Sequence, residues 1–290
     1  MRKKMLFLLV PLGAALVWAS LSGAGHRPVA GGITYQHTRE QLVVMYPGYF
    51  FFKGPREAKK VALTFDDGPD AEVTPRILDI LKENRVRATF FVVGQNIRRH
   101  PGMVRRIAAE GHTIGNHTWT HLNMTKLGQE QVRQEIEKTA DLIESLTGHR
   151  SVLIRVPWGA VSDTVMRVAQ KEGLRVIGWS VDSFDWRDKV PARVLTNLET
   201  QVHPGAIVLM HAVAFPGTGE VTPRVLPLLI RNLEKRGYQF VTVDELLGLP
   251  PYHTAQAPCS FSHNRNFGPA TVFSCRQAED LRLTHRAVRE

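Results

Sequence analysis

The stretch KVALTFDDGPDAEVTPRILDILKENRVRATFFVV, residues 60–93, decides the fold. Residues 61–65 are an apolar run of strand length, ended by the turn formers Asp66, Asp67, Gly68 and Pro69. A helix is predicted over 74–84, with Ile77, Ile80 and Leu81 at spacings of three and four, and residues 88–93 return to an apolar run. Outward from this unit the alternation continues. Strands are predicted at 112–116, 152–155, 175–181, 206–210 and 238–241, and a helix at 130–146 with Val132, Ile136, Ile143 and Leu146 on one face. Gly111, Gly173 and Gly237 each follow a helical pattern, where a C-terminal capping glycine belongs. Seven strands alternating with helices predict an α/β fold of parallel strands and crossover helices, either a barrel or a doubly wound sheet.

The whole chain has 290 residues, 43% hydrophobic and 22% charged, with 2 Cys. These proportions exclude a disordered, collagen-like or disulfide-dense chain. A net charge of +10 admits nucleic acid, an anionic membrane surface or an acidic polymer as partner. The N-terminus narrows that choice. Arg2, Lys3 and Lys4 precede an apolar run over 5–19, and small and polar residues follow to Gly25. A buried helix would show a polar face, and a spanning helix usually needs about 20 residues, so 1–25 reads as an export signal. No A-x-A site is visible, which leaves cleavage and retention as a membrane anchor both open. An exported protein is not expected to bind nucleic acid, and contact with a membrane is expected only through an uncleaved anchor.

Residues 26–58 contain Pro28, Gly31, Gly32, Pro47, Gly48, Gly54 and Pro55 and read as a connector with a short strand at 41–45. The tail, 250–290, holds Cys259 and Cys275. In an exported chain the pair most simply forms a disulfide, worth about 3 kcal/mol in the chain-entropy model. A metal site with His253 or His263 is the weaker alternative, because it lacks a second closely spaced ligand pair.

Reactive side chains gather at the carboxyl ends of the predicted strands. Asp66 and Asp67 end the first, His117 follows the third, Arg155 ends the fourth, Asp182 and Asp185 follow the fifth, and His211 ends the sixth. In a parallel barrel those ends share one face, which is where barrel enzymes hold their active sites. Asp67 with His117 and His121 makes a three-ligand set for a catalytic divalent cation, with positions left open for water and substrate. The four-residue His spacing suits a helical turn or a tight loop. Adjacent carboxylates on a strand point to opposite faces, but a bend at the strand end lets both reach one cavity with different tasks. Alone, Asp66-Asp67-Gly68-Pro69 would be an ordinary surface turn.

Five segments in order, TFDDGP at 64–69, HTWTH at 117–121, RVPWG at 155–159, DSFDW at 182–186 and LMH at 209–211, resemble the motifs of the polysaccharide deacetylases, carbohydrate esterase family 4. The resemblance covers about 60–247 and assigns 59–249 to a NodB homology domain, a distorted (β/α)7 barrel. It implies Asp66 as general base, Asp67, His117 and His121 as metal ligands, Arg155 as the residue holding Asp66, and His211 as general acid oriented by Asp185. Pro157, Trp158, Trp186 and Asp182 would contribute to substrate binding, with a backbone N–H near Trp158 helping to bind the oxyanion. It further implies one divalent metal ion, Zn2+ before Co2+, Ni2+ or Mn2+, and hydrolysis of an acetamide to acetate and a free amino sugar. Ala212 stands where many relatives have an acidic residue, and Trp158 where many have Tyr, departures that bear on substrate preference.

For a basic, exported enzyme, peptidoglycan is the first expected substrate, chitooligosaccharide the second and O-acetylated xylan the third. Two other classes compete. A non-haem Fe2+ oxygenase uses two His and one carboxylate, but leaves Asp66, Arg155, Asp185 and His211 without a task. A non-catalytic wall-binding protein of the same fold would have lost motif residues, and here every position is filled.

Overall fold

The computed structural model describes residues 36–215 and 221–253. The chain begins with α1 (Arg39–Met45) and β1 (Phe50–Phe51), then β2 (Lys60–Asp66), α2 (Val73–Glu83), β3 (Thr89–Val92), α3 (Gly94–Arg99), α4 (Pro101–Ala109) and β4 (Thr113–Asn116). It continues through α5 (Gln129–Thr147), β5 (Leu153–Ile154), α6 (Asp163–Lys171), β6 (Arg175–Ile177) and β7 (Val181–Asp182). Last come α7 (Pro191–Gln201), β8 (Ala206–His211), α8 (Val221–Lys235), β9 (Gln239–Phe240) and α9 (Val243–Leu247). Short 3-10 turns occupy Met124–Lys126 and Pro157–Gly159.

The strands form one parallel sheet in the order β1-β6-β5-β4-β3-β2-β8-β7, with β9 pairing β2. β2 lies between β3 and β8 and, apart from Lys60, is buried at every residue. That explains its unbroken apolar run, since a parallel strand covered on both faces has no polar side. Phe65 stacks on Phe90 of β3, with ring centroids 5.1 Å apart, and α2 packs Ile77, Leu78 and Leu81 into the same core. Gly173 and Gly237 adopt φ of +68° and +80° just after α6 and α8, the left-handed conformation that ends a helix.

Three expectations need correction. The single strand expected at 175–181 is broken into β6 and β7, because the run serves both ends of the sheet. β6 pairs β5 and β1, while β7 pairs β8 and Ser180 N–H donates to the Ile207 carbonyl at 3.0 Å. This run closes the parallel strands into a distorted barrel. At the break, the carbonyls of Ile177 and Gly178 turn to accept bonds from Arg155. The strand expected at 41–45 is the helix α1. Thr38 Oγ1 accepts from Gln41 N–H and Gln41 Oε1 accepts from Thr38 N–H, a capping box that starts a helix despite the β-branched pair Val43 and Val44. Of the seven residues of α1 only Leu42 is buried, and Val44 is 80% exposed. Finally, the connector is part of the fold along 39–53, since β1 adds to β6. Seven strands were expected; nine are present among the described residues, β1 and the division at 178–180 making the difference.

The start of the tail is also seated. Tyr252 bridges Ser151, and its hydroxyl accepts from Ile114 N–H at 3.2 Å. The N-terminal segment expected to be an export signal, and Cys259 and Cys275 with the disulfide expected of them, lie outside the described residues. Among the described residues no helix is long and apolar enough to cross a membrane.

Candidate active site

Strand register brings the first two residues together. Asp66, the last residue of β2, pairs with His211, the last of β8. Asp67 follows with φ +69°, a left-handed bend that lets neighbouring carboxylates enter one cavity. His117 leaves the end of β4 and His121 lies four residues on, in a loop rather than a helical turn, with Thr118 at φ +66° and His121 at +60°. Nε2 of His121 and of His117 stand 3.0 and 3.3 Å from Asp67 Oδ1, and His117 Nε2 is 3.7 Å from Asp66 Oδ2. His117 Nδ1 is 2.7 Å from the Arg155 carbonyl, which fixes the ring and aims Nε2 inward. Burial pushes the Asp67 carboxyl up, but the facing imidazoles outweigh it and hold it well below the usual carboxylate range. Burial likewise opposes a charge on His117, and Asp66 and Asp67 reverse the balance and raise it.

Arg155 is among the largest fully buried side chains of the described residues. Its guanidinium donates to Asp66 Oδ1 at 2.8 Å, Thr64 Oγ1 at 2.6 Å, the Ile177 carbonyl at 3.1 Å and the Gly178 carbonyl at 3.0 Å. It lies 4.2 Å over the Phe91 ring. Burial weakens its hold on the proton, and Asp66 counteracts this. A buried guanidinium is tolerated because each face of it has a partner. Asp66 Oδ1 is thus fixed from one side, with Oδ2 turned toward the cavity and His117.

On the opposite side, His211 Nδ1 meets Asp185 Oδ1 at 2.7 Å. The other carboxylate oxygen accepts from His211 N–H at 2.9 Å and from Thr222 Oγ1 at 2.5 Å. Burial disfavours the imidazolium, yet the attraction and hydrogen bond of Asp185, helped by Asp67 and Asp66, push His211 up to about 9. Asp185 moves the opposite way, burial raising it and His211 more than offsetting that. Phe215 stands edge-on to the His211 ring, centroids 5.1 Å apart.

The remaining expected residues frame this centre. Pro157 is buried and opens a 3-10 turn in which Trp158 adopts φ +63° and stays 52% exposed, its ring 5.1 Å from that of His121. Asp182 accepts from Phe184 N–H at 2.9 Å, shaping the loop that carries Asp185, and burial raises its pKa. Trp186 is half-buried beneath the Arg187 guanidinium, 5.3 Å away. Sequence reasoning missed Thr64, Thr222 and Asn96, whose Nδ2 donates to the Asp67 carbonyl at 2.7 Å. Thr222 and Asn96 are far in sequence from what they support, and Thr64, though it lies within the motif at 64–69, acts on the distant Arg155, so no local spacing signals these contacts.

A family model for polysaccharide deacetylases matches residues 53–177. The chain is 36% identical over 200 residues to a Bacillus cereus peptidoglycan-N-acetylglucosamine deacetylase, covering 68% of this chain and 71% of that one. It is 41% identical over 190 residues to the Listeria monocytogenes peptidoglycan-N-acetylglucosamine deacetylase PgdA, covering 66% of this chain but spanning only 39% of that longer relative. The crystal structure of the Bc1960 peptidoglycan N-acetylglucosamine deacetylase superposes with a TM-score of 0.70 at 36% identity, over 74% of this chain and all of that one. The family model spans the first three strand-end motifs, and with 36% identity to a relative over 68% of the chain, the chain belongs to the polysaccharide deacetylase family, carbohydrate esterase family 4, and is a polysaccharide N-deacetylase.

Proposed function

We propose that the protein is an exported, metal-dependent deacetylase that releases acetate from the N-acetylated amino sugars of peptidoglycan. One observation carries this reading: Asp67, His117 and His121 converge on one point between Asp66, held by Arg155, and His211, held by Asp185. The donor set fits a divalent cation. Asp67 Oδ1 is buried, makes no hydrogen bond, and faces two ring nitrogens, all three donor atoms lying within 4.8 Å of one another. Two imidazoles and a carboxylate suit Zn2+ first, with Co2+, Ni2+ and Mn2+ also accommodated. Such an ion, when bound, polarises the acetyl carbonyl and makes a neighbouring water more acidic.

The chain's own residues supply the proton transfers. Arg155, itself bonded to Thr64 Oγ1, fixes the orientation of Asp66, whose Oδ2 accepts the proton of the attacking water. His211, with Nδ1 occupied by Asp185, presents Nε2 to the leaving nitrogen and gives it a proton as the carbon–nitrogen bond breaks. The products are acetate and a free amine. Trp158 offers an exposed indole face for a sugar ring beside His121, with Pro157, Asp182 and Trp186 shaping the walls. The left-handed backbone at Trp158 suits a donor aimed at the developing oxyanion.

Peptidoglycan is favoured by the names of the relatives, by the N-terminal export pattern and by the net positive charge. The test is acetate release from purified peptidoglycan, chitin oligomers and acetylated xylan, each with defined metals added to protein stripped by a chelator. Release from peptidoglycan above the other two is expected, greatest with Zn2+. Release from chitin oligomers or xylan alone would refute the substrate, and equal rates with and without metal would refute the metal site.

A further inference from the structure

The loop from His117 to His121 carries two of the three proposed metal ligands, and beyond His117 N–H, which donates to the Val92 carbonyl of β3 at 3.0 Å, it has no helical or strand bonding of its own. Both Thr118 and His121 are left-handed, a conformation that side-chain-bearing residues avoid. Something outside the loop must hold it, and two helices do. From α3, the N–H groups of Gly94 and Gln95 donate to the carbonyls of Thr118 and Trp119 at 2.9 and 3.0 Å. From α5, the single oxygen Oε2 of Glu135 accepts both Trp119 N–H at 3.0 Å and Thr120 N–H at 2.8 Å. The loop's own contribution is smaller: Asn116 Oδ1 accepts from Thr118 N–H, and Thr118 Oγ1 from His121 N–H.

The alternative for a glutamate on a long amphipathic helix is a solvated side chain that does nothing in particular. Glu135 departs from it, because its carboxylate is spent on two successive amides lying between two ligands. Trp119 reinforces the geometry. Its indole packs so closely on α3 that a Cβ on Gly94 would lie 2.2 Å from the ring, and the Lys138 ammonium lies 4.0 Å from the ring centroid on the α5 side. Without the Glu135 oxygen the amides of Trp119 and Thr120 lose their acceptor. The turn can then relax toward right-handed backbone, and the two Nε2 atoms no longer face Asp67 together.

We infer that Glu135 is a positioning residue for the metal: by binding the amides of Trp119 and Thr120 it fixes the turn between His117 and His121 and so sets the affinity of the cation site. The inference rests on the metal reading given above. Residues that orient ligands without touching the ion typically change affinity 10- to 100-fold when removed, about the effect expected here.

The experiment measures Zn2+ affinity by chelator competition in the wild type, E135A, E135Q and H117A, with melting temperature as a check of folding. E135A should bind Zn2+ roughly 10- to 100-fold more weakly. E135Q keeps a carbonyl oxygen that can accept both amides, and should stay within about threefold of wild type. Amide hydrogen exchange at Trp119 and Thr120 in chelator-treated protein should accelerate in E135A and not in E135Q. Should E135A fail to fold, E135M retains the length of the side chain without the acceptor, and takes its place with the same expectation. Wild-type affinity in a folded E135A or E135M overturns the positioning role. Wild-type affinity in H117A instead overturns the metal site on which the role depends, a separate failure.

Discussion

Replacing Asp185 with Asn tests the acid side of the mechanism at its source. In the native site His211 is pushed up to about 9 because Asp185 bonds its Nδ1 at 2.7 Å and opposes the cost of burial. Moving an imidazole from 6.5 to about 9 corresponds to on the order of 3 kcal/mol in favour of the protonated ring. At pH 7.5 the native ring is therefore about 97% protonated, from the same titration. Asn removes the largest charge acting on the ring and leaves the burial, with Asp67 and Asp66 still opposing it, so the ring falls back toward its ordinary 6.5, where about 10% is protonated at pH 7.5. Turnover of acetamide substrates at that pH should drop about tenfold, with the alkaline limb moving from near 9 toward 6.5. Aryl acetates, whose leaving groups need no proton, should be slowed much less. The direct assay follows the His211 ring by NMR across pH in chelator-treated protein. A His211 midpoint in D185N within half a pH unit of wild type would refute the electrostatic argument. A uniform loss of rate at every pH would mean that Asp185 only orients the ring.

Stability should carry the mark of the same pair. Because the folded His211 pKa lies above its unfolded value, its contribution is fully present below about 6.5 and is lost as pH rises through about 9. Denaturant midpoints measured between pH 6 and 10 should fall over that window in the wild type and not in H211Q. R155M leaves the buried Asp66 without its cation and two carbonyls without a donor, and should cost about 3–5 kcal/mol in chemical denaturation. Adding D66N should recover part of that loss, and strict additivity of the two would count against a coupled pair. D66N alone should retain metal and lose turnover, whereas H117A should lose both, as metal analysis beside acetate release will report. G115A should destabilise by about 1–3 kcal/mol, since its Cβ would lie 2.4 Å from the Phe91 ring on which Arg155 rests.

What the sequence conveyed, and what it withheld, follows from the range of each interaction. The helices over 73–83 and 129–147 were readable because their apolar faces repeat within one turn, and β2 because a doubly covered strand is a continuous apolar run. The reactive residues were readable because they end those strands. α1 was misread because Val43 and Val44 suggest a strand, while the decisive signal, Thr38 with Gln41, is a cap that becomes compelling only once the helix is seen. The split of 175–181 follows from pairing with β5 and β1 on one side and with β8 on the other, and Arg155, some 20 residues away, bonds the two carbonyls at the break, contacts made only in the folded sheet. Glu135, Asn96 and Thr222 leave no local trace at all, because each contributes through a contact made only in the folded barrel.

The backbone shows why such distant supports are needed. Among the described residues six non-glycine residues have φ between +56° and +69°, and five of them, Asp67, Thr118, His121, Trp158 and Phe184, stand in the loops of the site. Each left-handed residue costs on the order of 1–3 kcal/mol, so together they rival the net stability of a whole domain. Strand ends alone would point Asp66 and Asp67 apart and would leave His117 and His121 on divergent stretches of loop. The left-handed bends turn these side chains back over the barrel. Bonds from the surrounding helices and strands keep the bends in place: Asn96 at Asp67, Glu135 at Trp119 and Thr120, Asp182 at Phe184. The site is therefore a set of locally unfavourable turns on a parallel barrel, held at Asp67, Trp119 and Thr120 by contacts distant in sequence and at Phe184 by the nearby Asp182. On that basis substitutions in these supports should reduce metal binding and turnover before they unfold the protein.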